Sequence, residues 1–127
     1  GVWDSVLTGE VFGFSDNRSL VLPHNLRGDE SARVAAGDLE LTAPLWGLGE
    51  LQSAGEVKIL EQQVADEHAQ IISGLEQFNL KQERRVIRLK PLAPDLEWES
   101  NETLILRFEL PKGTYATTLL KELVCVT

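Results

Sequence analysis

Tyr115 follows the break Pro111-Lys112-Gly113 and stands between two small residues, Thr114 and Ala116. An aromatic ring held at a strand-to-helix corner with small neighbours offers a face on which a flat ligand can stack. The same ring could instead close a core at that corner. The second chemical feature is charge. Lys81, Arg84, Arg85, Arg88 and Lys90 place five bases within ten residues, opposed by Glu83 alone. If the segment is helical, Lys81, Arg84, Arg85 and Arg88 share a face; if it is extended, Arg88 and Lys90 do. Charge runs are usually solvated faces, yet this is the one patch suited to phosphate. Other chemistries lack their residues. His24 and His68 stand apart from each other and from Cys125, so no clustered set resembles a zinc site. No phosphate-cradling glycine loop or nucleophile elbow is present, and no metal is expected.

The elements that hold these residues follow from periodicity. Leu104, Leu106, Phe108 and Leu110 alternate with Ile105, Arg107 and Glu109, which predicts a strand. Proline cannot donate to a ladder and glycine tolerates positive φ, so Pro111-Lys112-Gly113 ends it. Thr114 can cap a helix whose apolar face is Ala116, Leu119, Leu120 and Leu123. Tyr115 then lies in its first turn, beside unpaired N–H groups. Residues 91–94 read as a linker, and residues 96–99 as a strand that pairs with 103–110 across Ser100-Asn101. Asn79 can cap a short turn before a strand containing Val86, Ile87 and Leu89.

Upstream, a turn at Thr8-Gly9 precedes a hairpin made by residues 10–12 and 19–22, joined by Ser15-Asp16-Asn17-Arg18. Residues 29–36 predict a short helix stopped by Gly37, and residues 39–42 a short strand. Residues 43–49 read as a loop carrying Trp46, with two glycines that permit a close backbone approach. Residues 54–72 form the longest predicted helix, striped by Val57, Leu60, Val64, His68 and Ile71, and Gly74 weakens or ends it. The expected class is α+β: antiparallel β-hairpins, one long helix, and a C-terminal strand–corner–helix unit.

With 127 residues, 43% hydrophobic and 25% charged, the chain can bury a real core. No apolar run approaches the ~20 residues of a membrane span, and residues 1–10 show no secretory leader. Cys125 has no partner for an internal disulfide and reads as a buried, inert thiol, which fits the cytoplasm. The sequence holds no methionine and opens on Gly1-Val2-Trp3, so a fragment of a longer chain is expected. The net charge of −8 is uneven: residues 1–78 carry 13 acids against 4 bases, and residues 79–127 carry 7 against 8. Acidity argues against non-specific nucleic-acid binding by the first part, but not by the last third.

FELPKGTYATTLLKEL, spanning residues 108–123, resembles the C-terminal signature of the tRNA pseudouridine synthase D (TruD) family, a strand followed by LP-x-G-[ST]-[YF]-A-T and a helix bearing [RK]-E-L. RRVIRLKP and LEWE resemble the approach to that signature. GEVFGF, RSLVLP and LTAPLWGLGE are more loosely similar to the later part of the domain this family inserts into its catalytic domain.

The resemblance implies that residues 1–89 are the C-terminal portion of the inserted domain and residues 90–127 the final segment of the catalytic domain. It implies isomerisation of uridine to pseudouridine at position 13 of tRNA by an aspartate nucleophile, with no cofactor consumed. Tyr115 matches the aromatic position that packs on the target base, and Gly113 and Thr117 would shape that corner. Lys121 stands where arginine is commoner, so a bidentate contact is not assured there. The family's AG-x-KD motif, which carries the nucleophile, does not occur in this sequence, so this chain alone is expected to be inactive. Two other readings stand beside it. One is a non-catalytic RNA-contacting module using Lys81, Arg84, Arg85 and Arg88. The other is an inactive core that orders itself as a strand-swapped homodimer through exposed edges.

Overall fold

A computed structural model describes residues 5–123. The expectations placed on Trp3 and Cys125 lie outside the described residues. The chain divides into two compact units, Gly1–Arg88 and Leu89–Thr127. Among the described residues, no helix is long and apolar enough to cross a membrane.

The first unit is built on a four-stranded antiparallel sheet. Its strands are β1 (Phe12–Gly13), β2 (Leu20–Val21), β3 (Glu40–Leu45) and β4 (Glu83–Val86), in the order β2-β1-β3-β4. The β1–β2 pairing is the hairpin read from the sequence, with Phe12 opposite Val21. Helix α1 (Glu30–Ala36) ends at Gly37, whose N–H donates to the Val34 carbonyl. Phe12, Val34, Leu39 and Leu41 are buried together, with Val6, Phe14, Val21 and Ile87 around them. This core lets a few short strands hold together.

β3 runs three residues further than the predicted strand. Ala43, Pro44 and Leu45 pair with Arg85, Arg84 and Glu83 instead of forming a loop. Leu39 and Leu41 enter the core, while Glu40 and Thr42 are just as buried. A central strand covered on both faces can carry polar residues only if they find internal partners. Glu40 and Thr42 find them on the segment that includes β4. The two glycines beside Trp46 and Leu48 also find their neighbour, as a Cβ at Gly47 would lie 2.3 Å from the Leu80 carbonyl oxygen. Leu48 N–H donates to that oxygen at 2.6 Å.

The predicted long helix exists as two pieces, α2 (Gly55–Glu67) and α3 (Ala69–Gln77). The break falls at His68 (φ −116°, ψ 29°), not at Gly74, which lies inside α3. Asn79, at φ 56°, ends α3 in the left-handed conformation that asparagine tolerates. The short turn that Asn79 caps is thus the end of a helix. The start of α2 has no side-chain cap; the Thr8 carbonyl accepts the Val57 N–H at 3.2 Å. Val57 and Ala65 are buried, but Leu60 and Val64 remain about half exposed.

The second unit is a hairpin, a corner and a helix. β5 (Leu92–Trp98) pairs antiparallel with β6 (Leu104–Glu109), and α4 covers Ala116–Leu123. The strand read as 96–99 therefore begins four residues earlier, inside the expected linker. Pro94 is accommodated because the register slips between Leu92 and Asp95, where a missing donor costs little. Arg107 bridges Asp95 at 3.1 Å and Glu97 at 2.9 Å across the strands. These groups are exposed, so the cluster contributes little to stability.

Candidate nucleic-acid interface

β6 delivers the chain to the corner and α4 carries it away. α4 begins at Ala116, so Tyr115 precedes the helix and its carbonyl accepts the Thr118 N–H at 3.1 Å. Thr114 does not cap α4 as expected. Its hydroxyl donates to the Pro111 carbonyl at 2.6 Å, tightening the turn. Gly113 adopts φ +89° with open space where a Cβ would point. Tyr115 is 74% exposed, so within this unit its ring closes no core and its faces are available for stacking. Thr117 and Lys121, one helical turn apart, are exposed as well.

The basic segment is extended, and alternation sorts its charges. Lys81 and Arg85 are exposed, with Glu83 between them pairing to Arg85 at 3.3 Å. Arg84 points inward, its side chain 1% exposed. Nη2 donates to Glu61 Oε1 at 2.7 Å and to the Thr42 carbonyl at 3.0 Å, and Nη1 donates to Glu61 Oε2 at 3.1 Å. Nε donates to Thr42 Oγ1 at 2.8 Å, and that hydroxyl donates onward to the Val11 carbonyl. Arg84 cannot reach a phosphate without leaving Glu61 uncompensated, so its place in the expected basic face passes to the scaffold. Arg88 is intermediate: Nε donates to the buried Glu40 carboxylate at 2.8 Å, and Nη2 is buried with no hydrogen-bond partner among the described residues. The structure thus keeps Lys81 and Arg85 on the surface, while Gly113, Tyr115, Thr117 and Lys121 belong to the other unit.

Sequence reasoning overlooked the cleft beside α2. It has a volume of about 490 Å³ and is lined by Pro44, Trp46, Leu60, Val64 and Ile72, with Glu10 and Glu61 among them. Burial pushes the Glu10 carboxyl above its ordinary value of 4.5; Arg84 opposes the rise and Glu61 adds to it. The folded state therefore favours protonated Glu10. Its contribution to stability is fully present below pH 4.5 and is lost as pH rises through the raised value. Glu10→Gln should melt higher than the parent at pH 7, by on the order of 1 kcal/mol or about 4–8 °C. The gap should vanish near pH 4, and paired thermal melts at the two pH values check this. Among the described residues, no group of three or more His, Cys, Asp or Glu side chains could hold a metal ion.

Comparison with known proteins converges on one family. The family model for tRNA pseudouridine synthase D (TruD) matches residues 1–123. A tRNA pseudouridine synthase D of Xanthomonas euvesicatoria is 42% identical over 100% of this chain and 35% of its own length. A tRNA pseudouridine synthase D of Pseudoalteromonas atlantica is 38% identical over 94% of this chain and 34% of its own. The chain thus spans about a third of the length of these relatives. Among solved structures, a Methanosarcina mazei protein described as a tRNA pseudouridine synthase D shares the fold. Its TM-score is 0.66 at 24% identity, covering 94% of this chain and 31% of that one.

Proposed function

The chain belongs to the tRNA pseudouridine synthase D (TruD) family, and from that premise we propose that it is the C-terminal part of an enzyme that isomerises uridine to pseudouridine at position 13 of tRNA. Residues 1–89 are then the later portion of the inserted domain and residues 90–127 the end of the catalytic domain. The reaction breaks the bond between uracil N1 and ribose C1′ and forms one between C5 and C1′. C5 gives up a proton and N1 gains one, so the step is redox-neutral and consumes no cofactor. An enzyme that acts on a base must take it out of the stack. The observation that carries this reading is the exposed Tyr115 ring at the corner between β6 and α4. Gly113 leaves room beside it and Thr117 and Lys121 stand on the adjoining helix. The nucleophilic aspartate belongs to a motif this chain does not carry, which makes the chain one wall of the pocket and inactive by itself. In this reading the protein works in the cytoplasm.

In the whole enzyme carrying this segment, Tyr115→Ala should lower kcat/KM for a tRNA transcript about ten- to hundredfold, the worth of one base–aromatic stack. Tyr115→Phe should retain most of the rate. Pseudouridine formation by the alanine variant at the parent rate would remove Tyr115 from the site.

A second reading, a non-catalytic module that contacts RNA, is favoured by the exposed Lys81 and Arg85. It requires tRNA binding by the isolated chain that weakens as salt rises. A strand-swapped homodimer would use β5, every residue of which is exposed, and light scattering over a concentration series would detect it.

A further inference from the structure

Three of the four bases in the acidic first 78 residues, Arg18, Arg27 and Arg33, fall within sixteen positions. Two of them face one cavity. A pocket of about 240 Å³ opens beside the β1–β2 hairpin, with Phe14, Leu20 and Val21 among its apolar lining and Asn25, Arg27 and Arg33 among its polar lining. Glu30 is the remaining lining residue, and it sets the net formal charge of the pocket at +1. Its carboxylate is already engaged: one oxygen accepts the Arg27 N–H and the other accepts the Gly28 N–H at 2.9 Å. These backbone bonds hold the Glu30 carboxyl below its ordinary value, with nearby Arg33 contributing least. Glu30 thus fixes the turn that presents Arg27, and neither its oxygens nor any other described group forms an ion pair with the Arg27 or Arg33 guanidinium.

Arg27 is exposed and Arg33 half-buried at this pocket, whereas the deeper Arg84 and Arg88 of the same unit are taken up by Glu61 and Glu40. Two guanidiniums left unpaired beside an amide, in a cavity wider than a water molecule, have the donor set of an oxyanion site. We infer that Arg27, Arg33 and Asn25 form a binding site for a phosphate group, seated over the apolar floor of Phe14, Leu20 and Val21. The phosphate can come from an RNA backbone or from a free phosphate, and only the RNA source rests on the function proposed above.

The test has two arms. Inorganic phosphate is titrated into this chain while the Arg27 and Arg33 side-chain Nε–H resonances are followed. Saturable shifts are expected in the parent and none in the Arg27→Gln/Arg33→Gln variant. In the whole enzyme, tRNA binding is measured across a salt series. The same double variant should reduce the slope of log K against log[salt] by about 0.7–0.9 for each phosphate it no longer neutralises. Arg27→Lys/Arg33→Lys, which keeps both charges, should retain most of the slope and guards against a folding defect. An altered slope assigns the site to the RNA backbone, and shifts with an unaltered slope assign it to a free phosphate. No shifts with an unaltered slope overturn the inference. Pseudouridine formation by the unaltered enzyme is scored separately: its absence would sink the proposed function while leaving the phosphate titration interpretable.

Discussion

Alanine at position 84 should cost the first unit about 3–5 kcal/mol, a large share of the roughly 5–15 kcal/mol that stabilises a typical domain. The substitution leaves the Glu61 carboxylate, 9% exposed, without its cation. It also removes the donors to the Thr42 hydroxyl and carbonyl. Among the described residues, only Ser53 continues to donate to Glu61, at 2.5 Å. A buried ion pair is not itself strongly stabilising, because desolvation offsets most of the attraction; breaking one partner is what costs. The urea midpoint should therefore fall by about 2 M. Arg84→Met combined with Glu61→Leu should recover most of the loss, as neither charge is then stranded. A double variant no more stable than Arg84→Ala would show that the orphaned carboxylate is not the cause. Arg84→Lys should sit between them, since an ammonium cannot reproduce the forked contact to Glu61.

Gly9→Ala should be comparably damaging for a steric reason. Gly9 has φ +92°, and a Cβ there would stand 1.8 Å from the Ala54 carbonyl oxygen and 2.2 Å from its carbon. Backbone cannot yield as the end of a side chain can. The turn at Thr8 and Gly9 would have to move away from α2, losing the bonds from Ala54 N–H to the Gly9 carbonyl at 2.9 Å and from Val57 N–H to the Thr8 carbonyl. Left-handed strain and two broken backbone bonds together cost about 3 kcal/mol or more. Amide exchange should quicken along α2 in this variant. Exchange of the second unit is the internal reference, since it holds neither Thr8, Gly9 nor α2. Protection of α2 equal to the parent would contradict the clash.

How far the sequence could be read varied with the kind of interaction involved. Local rules held where the structure is local: the β1–β2 hairpin, α1 with its stop at Gly37, and β6 with the following corner were all legible. Boundaries moved where tertiary pairing intervened. Pro44 joins β3 because it has Arg84 opposite, and Leu92 joins β5 because it has Glu109. Helix 54–72 was read through His68 because nothing local marks a break there.

The basic segment gives the clearest lesson. Spacing places Arg84 on one face with Lys81, Arg85 and Arg88 only if the segment is helical; it is extended, and Arg84 points inward. A signal for this was present. Glu61 stands four residues after Val57 and three before Val64, inside the apolar stripe of α2. An acid on that face needs a buried cation. Tyr115 was legible as a ring at a corner, while its exposure required the structure. The Arg27–Arg33 pocket was not legible, because hairpin and helix meet there only in three dimensions.

The network around Arg84 also sets a clock on synthesis. Thr42 and Glu61 precede Arg84 in the chain by 42 and 23 residues. At roughly 5–20 residues per second, the ribosome adds the arginine about 1–5 s after the glutamate it must neutralise. Throughout that interval Glu61 is better hydrated than buried, so α2 gains nothing by docking early. The ion pair thereby makes the last strand of the sheet the trigger for closing α2 against it, and a nascent chain stalled before position 84 should remain open to proteases.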